Sequence, residues 1–136
     1  DLDSVGRQIS LPELENMHIH KTGALIRASV LLGARCGTPL PKDELAHLDR
    51  YAKCVGLAFQ VVDDILDEEA DSATLGKTPG KDREAGKPTY TSLLGLPDAR
   101  KFAAELLADA HAALSPFDAR ADRLRQLADF IVRRDR

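Results

Sequence analysis

LAHLDRYAKCVGLAFQVVDDILD, residues 45 to 67, decides the fold. Leu45, Leu48, Ala52, Val55, Phe59, Val62 and Leu66 recur at alternating spacings of three and four. That is the period of a helix and not of a strand, in the heptad-like form that lines a helix–helix seam. Cys54, Leu57, Ala58, Val61 and Ile65 form a second apolar set that widens the arc. Between residues 54 and 66 most of the circumference is apolar, so the helix is predicted to be packed on most sides. It is expected to run from residue 42 to about 70.

The segments on either side support an all-α chain. Pro12, with Ser10 or Leu11 before it, predicts a helix start, and the helix is expected to reach about His20. Thr22 and Gly23 are expected to interrupt it, with Thr22 capping a second helix in GALIRASVLLGARCG (23–37). That second helix is apolar on most sides, with Arg27 its lone interior charge, and so is expected to be buried. For Arg27 a buried pairing partner is expected in preference to a catalytic role. Gly37, Pro39 and Pro41 mark a turn. Past the long helix, DSATLGKTPGKDREAGKPTY (71–90) has three Gly-Lys pairs, two prolines and no apolar period. It reads as one long, mobile loop of the kind that often carries function. Helices are then expected at about 91–95, 97–115 and 119–134, with Pro97 near a first turn and Pro116 beyond an end.

Composition narrows the classes further. The 136 residues are 43% apolar, with no Trp, two Tyr and four Phe. A chain of this length is one domain or part of one. Scarcity of aromatic and β-branched residues beside much Ala and Leu favours helices over a sheet. The net charge of −3 gives no basic surplus for nucleic acid, and no apolar run is long enough to span a membrane. Cys36 and Cys54 fit no metal spacing and are read as buried free thiols of a reducing cytoplasm. His18 and His20 stand two apart, on different sides of a helix, so they form no metal pair. They are read with His47 and His111 as structural or surface residues.

The acidic residues of the long helix carry the chemistry. With Gln60 at zero and about 100° per residue, Asp63 falls at about 300°, Asp64 at about 40° and Asp67 at about 340°. Gln60, Asp63, Asp64 and Asp67 therefore share one stripe cut into an apolar helix. Two carboxylates ~6 Å apart repel by roughly 3 kcal/mol at an effective dielectric of about 20. Their place toward the helix C-terminus adds to the cost, and no lysine four residues on relieves it. Two readings fit this spacing: a solvated acidic patch, or a cation site. Clustered carboxylate oxygens suit Mg²⁺, which keeps most of its waters and takes one or two carboxylates with phosphate oxygens, and they do not suit zinc. The following loop favours the cation site. Lys77, Lys81 and Lys87, each after a glycine, and Arg83 bring positive charge within twenty-four residues of Asp63. Carboxylates for Mg²⁺ beside loop lysines make a diphosphate site of mixed sign, although no Walker A pattern is present.

FQVVDDILD (59–67), ADSATLGK (70–77) and GKDREAGKPTY (80–90) resemble the second aspartate-rich motif and following loop of the trans-isoprenyl diphosphate synthases. HKTGALIRASVLLGA (20–34) resembles the Lys-Thr segment of that family, and the opening DLD the end of its Gln-x-x-Asp-Leu motif. The resemblance covers essentially the whole chain and runs nearest to the bacterial farnesyl diphosphate synthases (geranyltranstransferases). It implies an antiparallel helical bundle of the isoprenoid synthase type around a deep cavity. It implies prenyl transfer, in which an allylic diphosphate (dimethylallyl or geranyl) ionises and is attacked by isopentenyl diphosphate to give a short-chain product. By this resemblance Asp63 binds Mg²⁺, Asp64 supports it and Asp67 is more peripheral. Lys21 and Lys77 hold the allylic diphosphate as leaving group. Thr22 and Gln60 line the reacting region, Phe59 contacts the isopentenyl substrate, and Lys87 is a further phosphate contact. Arg133, Arg134 and Arg136 stand where the family's basic tail closes over isopentenyl diphosphate. A cytoplasmic homodimer is implied as well.

The sequence also departs from that family. Its first aspartate-rich motif, the arginines beside it and the N-terminal basic residues have no counterpart here. Residues 1–136 therefore read as the C-terminal part of a single synthase domain, expected not to turn over alone and to leave an apolar face in need of a partner. Two rivals stay open. One is a terpene cyclase, which ionises a diphosphate but releases a hydrocarbon. The other is a non-catalytic helical interaction module whose acidic stripe docks a basic partner.

Overall fold

The computed structural model describes residues 8–73 and 88–136. Every regular element among them is helical. The first helix, α1 (Leu11–His18), begins where the sequence requires. Ser10 is extended, its hydroxyl accepts from the Glu13 amide at 3.4 Å, and Glu13 reaches back to the Ser10 amide at 3.3 Å. This reciprocal box satisfies two amides that lack intrahelical acceptors, and Pro12 fits the first turn.

The expected interruption at Thr22 and Gly23 does not occur. The chain runs from α1 through one turn of π-helix, Ile19–Gly23, directly into α2 (Ala24–Arg35). Gly23 keeps right-handed helical angles (φ −63°, ψ −32°), and no side chain caps α2. A glycine inside a helix lowers its stability without obliging it to end, and here the surplus residue is absorbed by widening one turn.

The longest helix, α3 (Lys42–Ala73), has 32 residues and forms the axis of the bundle. It continues to Ala73, so residues 71–73 of the expected loop are helical, with Asp71 buried; the loop's residues 74–87 lie outside the described residues. The short α4 (Tyr90–Leu94) opens on Thr89, whose hydroxyl accepts from the Ser92 amide at 3.0 Å. Only Gly95 separates α4 from α5 (Leu96–Ala113), and its φ of +83° is a backbone conformation that a side chain would strain. A 3₁₀ turn (Ala119–Ala121) leads into α6 (Asp122–Arg133).

Two buried clusters show how these helices lie. In one, Ala58, Val61, Val62 and Ile65 of α3 meet Leu14, Tyr90, Ala99, Ala103 and Leu106. In the other, Leu48, Tyr51, Cys54 and Val55 meet Ala110, Ala113, Leu114 and Ala128. Later residues of α5 thus meet earlier residues of α3, so the two helices are antiparallel, as expected. Alanines on α5 let its backbone approach closely. Tyr51 ties α6 to α3 by donating to the Leu124 carbonyl at 2.7 Å, and His111 pairs with Asp129 at 2.8 Å across α5 and α6.

Three further expectations are corrected. None of the residues of α2 is buried, and Leu25 and Leu32 are 73% and 66% exposed. One side of α2 packs on α3, and no described element covers the other. An apolar periphery shows that a helix favours cover but not which segment supplies it. Arg27 does find a partner, Asp49 of α3, although the pair is half exposed and not buried. Of the thiols, Cys54 is buried and its pKa is pushed up chiefly by that burial, whereas Cys36 is exposed.

Candidate functional site

The acidic stripe divides by rotation along α3. Asp63 and Asp67, one turn apart, are exposed, with Gln60 half-buried on the same side. Asp64, turned about 100° from Asp63, is 9% exposed and points into the protein. Its Oδ2 accepts from the Tyr90 amide at 2.9 Å. Farther along the helix, Glu69 is ion-paired with Arg100 of α5. The repulsion expected among these carboxylates is thus eased in part by a backbone donor and an arginine from outside the helix. Asp63 and Asp67 stay on the exposed side of the helix.

The π-turn brings the Lys-Thr segment alongside. A Cβ at Gly56 of α3 would stand 3.4 Å from the Gly23 Cα and 3.7 Å from the Ile26 side chain. This close approach sets the turn against α3 about one helical turn ahead of Gln60. Lys21 is exposed on it and Thr22 is half-buried. A cleft of about 120 Å³ lies between this segment and α3, lined by His18, His20, Arg27, Lys53 and Leu57 among others.

Phe59, on α3, lies beside the end of α6. The Arg134 guanidinium lies 4.7 Å over its ring and donates to its carbonyl at 3.2 Å. Aromatic faces attract such a cation. The contact joins one of the C-terminal arginines to a residue picked out near the middle of the sequence. Lys77 and Lys87, with Lys81 and Arg83, lie outside the described residues.

Gln60, Asp63 and Asp67 therefore share one exposed face, Lys21 and Thr22 stand on the neighbouring π-turn, and Phe59 is next to Arg134. Among the described residues, no three His, Cys, Asp or Glu side chains converge on a metal position. Two exposed carboxylates one turn apart still fit Mg²⁺, which takes the rest of its ligands from water and phosphate. The sequence reading missed the widened turn and the close approach of Gly23 to Gly56. It also missed the Thr89 cap, for which the run Thr89-Tyr90-Thr91-Ser92 was the available signal.

A sequence profile described as polyprenyl synthetase matches residues 1–123. The chain belongs to that family. It is 52% identical over 130 residues to a probable farnesyl diphosphate synthase of Bradyrhizobium diazoefficiens, covering 93% of this chain and 39% of that protein. Among solved structures, a putative farnesyl-diphosphate synthase from Marinomonas superimposes with TM-score 0.79 at 42% identity, over 97% of this chain and 43% of that one. A geranyltransferase of Helicobacter pylori, complexed with magnesium and isoprenyl diphosphate, matches with TM-score 0.69 at 29% identity, over 91% of this chain and 40% of its own. The all-α isoprenoid synthase fold expected from the sequence is thereby shown. The chain spans less than half the length of these relatives.

Proposed function

We propose that this chain is part of a Mg²⁺-dependent prenyltransferase that joins an allylic diphosphate to isopentenyl diphosphate and makes a short-chain product, geranyl or farnesyl diphosphate. The observation that carries the reading is the outward pair Asp63 and Asp67, with Gln60 beside it, on a helix otherwise packed with apolar residues. The magnesium and isoprenyl diphosphate of the Helicobacter pylori relative support it.

In this reading Asp63 and Asp67 hold the metal. Magnesium would offset the charge that grows on the diphosphate as it leaves. The allylic carbon–oxygen bond breaks and its electron pair departs with the diphosphate. The double bond of isopentenyl diphosphate then attacks the allylic carbon through C4, and loss of a proton restores a double bond. Lys21 and Lys77 hold the leaving diphosphate, where fixed positive charge has its largest effect. Lys87 adds a phosphate contact. Thr22 and Gln60 line the reacting carbons, and Phe59 borders the isopentenyl substrate with Arg134 against its ring. Apolar walls keep water from the cation.

No described helix is long and apolar enough to cross a membrane. A cytoplasmic homodimer completes the proposal. The test is product analysis of the protein as encoded, given geranyl and isopentenyl diphosphates with Mg²⁺. A longer linear diphosphate is expected. A hydrocarbon would turn the assignment to a terpene cyclase, and no conversion would leave the helical interaction module.

A further inference from the structure

We propose that Asp64 is a positioning residue which fixes the Lys21 turn relative to the Asp63–Asp67 face, and that it does not bind the metal. The inference deepens the proposed prenyl transfer and rests on it. Asp64 is buried, and its Oδ2 is engaged by the Tyr90 amide at 2.9 Å, twenty-six residues away in sequence. That amide is the first of α4 and has no acceptor within its own helix. A carboxylate accepting from it forms a charge-assisted bond.

The bond ends on a residue that is itself packed from two sides. The Tyr90 ring is fully buried, 5.3 Å from the His18 ring and 5.9 Å from the Phe102 ring, centroid to centroid. His18 is the last residue of α1, directly before the π-turn that carries Lys21 and Thr22. Phe102 belongs to α5. Thr89 and Ser92 close the rest of the α4 start through bonds of 2.9 and 3.0 Å. A continuous line of contacts thus runs from the acidic face through Asp64 and Tyr90 to His18 and the Lys21 turn. Asp63 and Asp64 are neighbours with separate tasks, one outward and one inward.

The test compares three variants of the protein as encoded. Asp64→Asn keeps an oxygen for the Tyr90 amide, Asp64→Ala removes it, and Asp63→Asn alters the outward face. Hydrogen exchange at the Tyr90 amide is expected to quicken about tenfold or more in Asp64→Ala and to stay near wild type in the other two. Turnover is expected to fall in Asp64→Ala, to recover largely in Asp64→Asn, and to keep its Mg²⁺ half-saturation in both. Asp63→Asn is expected to raise the Mg²⁺ requirement. The inference is overturned if Asp64→Asn raises the Mg²⁺ requirement as Asp63→Asn does, or if Tyr90 exchange is unchanged in Asp64→Ala. Loss of the prenyl-transfer reading itself would show as an inactive wild type, and the exchange measurement would still decide the role of Asp64.

Discussion

Tyr51 and Tyr90 are 1% and 0% exposed, yet their hydroxyls meet different fates. Tyr51 donates to the Leu124 carbonyl, whereas the Tyr90 hydroxyl has no partner among the described residues. Tyr51→Phe should therefore cost about 1 kcal/mol in denaturant unfolding, because it removes the bond that ties α6 to α3. Tyr90→Phe should cost less than about 0.5 kcal/mol, or stabilise, since it removes a group already unsatisfied. The same burial pushes the Tyr51 pKa from 10.0 up to about 12, and that of Tyr90 in the same direction. Both folded values lie above the unfolded one. Their contribution is thus complete below pH 10 and is lost as pH rises from 10 toward about 12. For Tyr51 the loss is on the order of 2 kcal/mol. Phenolate absorbance and loss of helical circular dichroism are expected to rise together in that window. Titration of either tyrosine at its ordinary pKa without unfolding would show it to be accessible. The acidic triplet was legible as residues but not as a division of labour. Periodicity put Asp63, Asp64 and Asp67 on one broad stripe, and only the position of Tyr90 shows which of them turns inward.

Among the elements, α3 was the most legible, since its three-and-four spacing persists for about six turns and its neighbours are capped by recognisable residues. Pro12 with Ser10 before it, and Pro97, mark helix starts that the structure keeps. The π-turn was not legible. Thr22-Gly23 resembles a break by composition, and the energy that decides otherwise comes from packing: Gly23 rests on Gly56, where a bulkier pair would hold the turn off. A Cβ at Gly23 would lie 3.2 Å from the His18 carbonyl oxygen, the acceptor of the widened turn. Gly23→Ala is accordingly expected to cost about 1–2 kcal/mol. It should lower turnover more than Gly33→Ala, whose Cβ meets nothing within 4 Å. Equal effects of the two substitutions would remove the π-turn from the site.

For the molecule as a whole, the antiparallel packing of α3 and α5 was expected from the family resemblance and not from periodicity. The exposure of α2 was not, because hydropathy is blind to where cover comes from. The bundle holds Asp63 and Asp67 outward near its axis, with Lys21 on the adjoining turn, and the account depends on that pair gripping magnesium that grips diphosphate. Thermal unfolding of the protein as encoded, with Mg²⁺ and inorganic diphosphate separately and together, tests this most directly. The two together should raise Tm by about 5 °C or more at ligand ~100-fold above Kd. Asp63→Ala should abolish the rise and leave the unliganded Tm near wild type, since the residue is exposed. An unshifted wild-type Tm, or a shift that survives Asp63→Ala, would contradict the account.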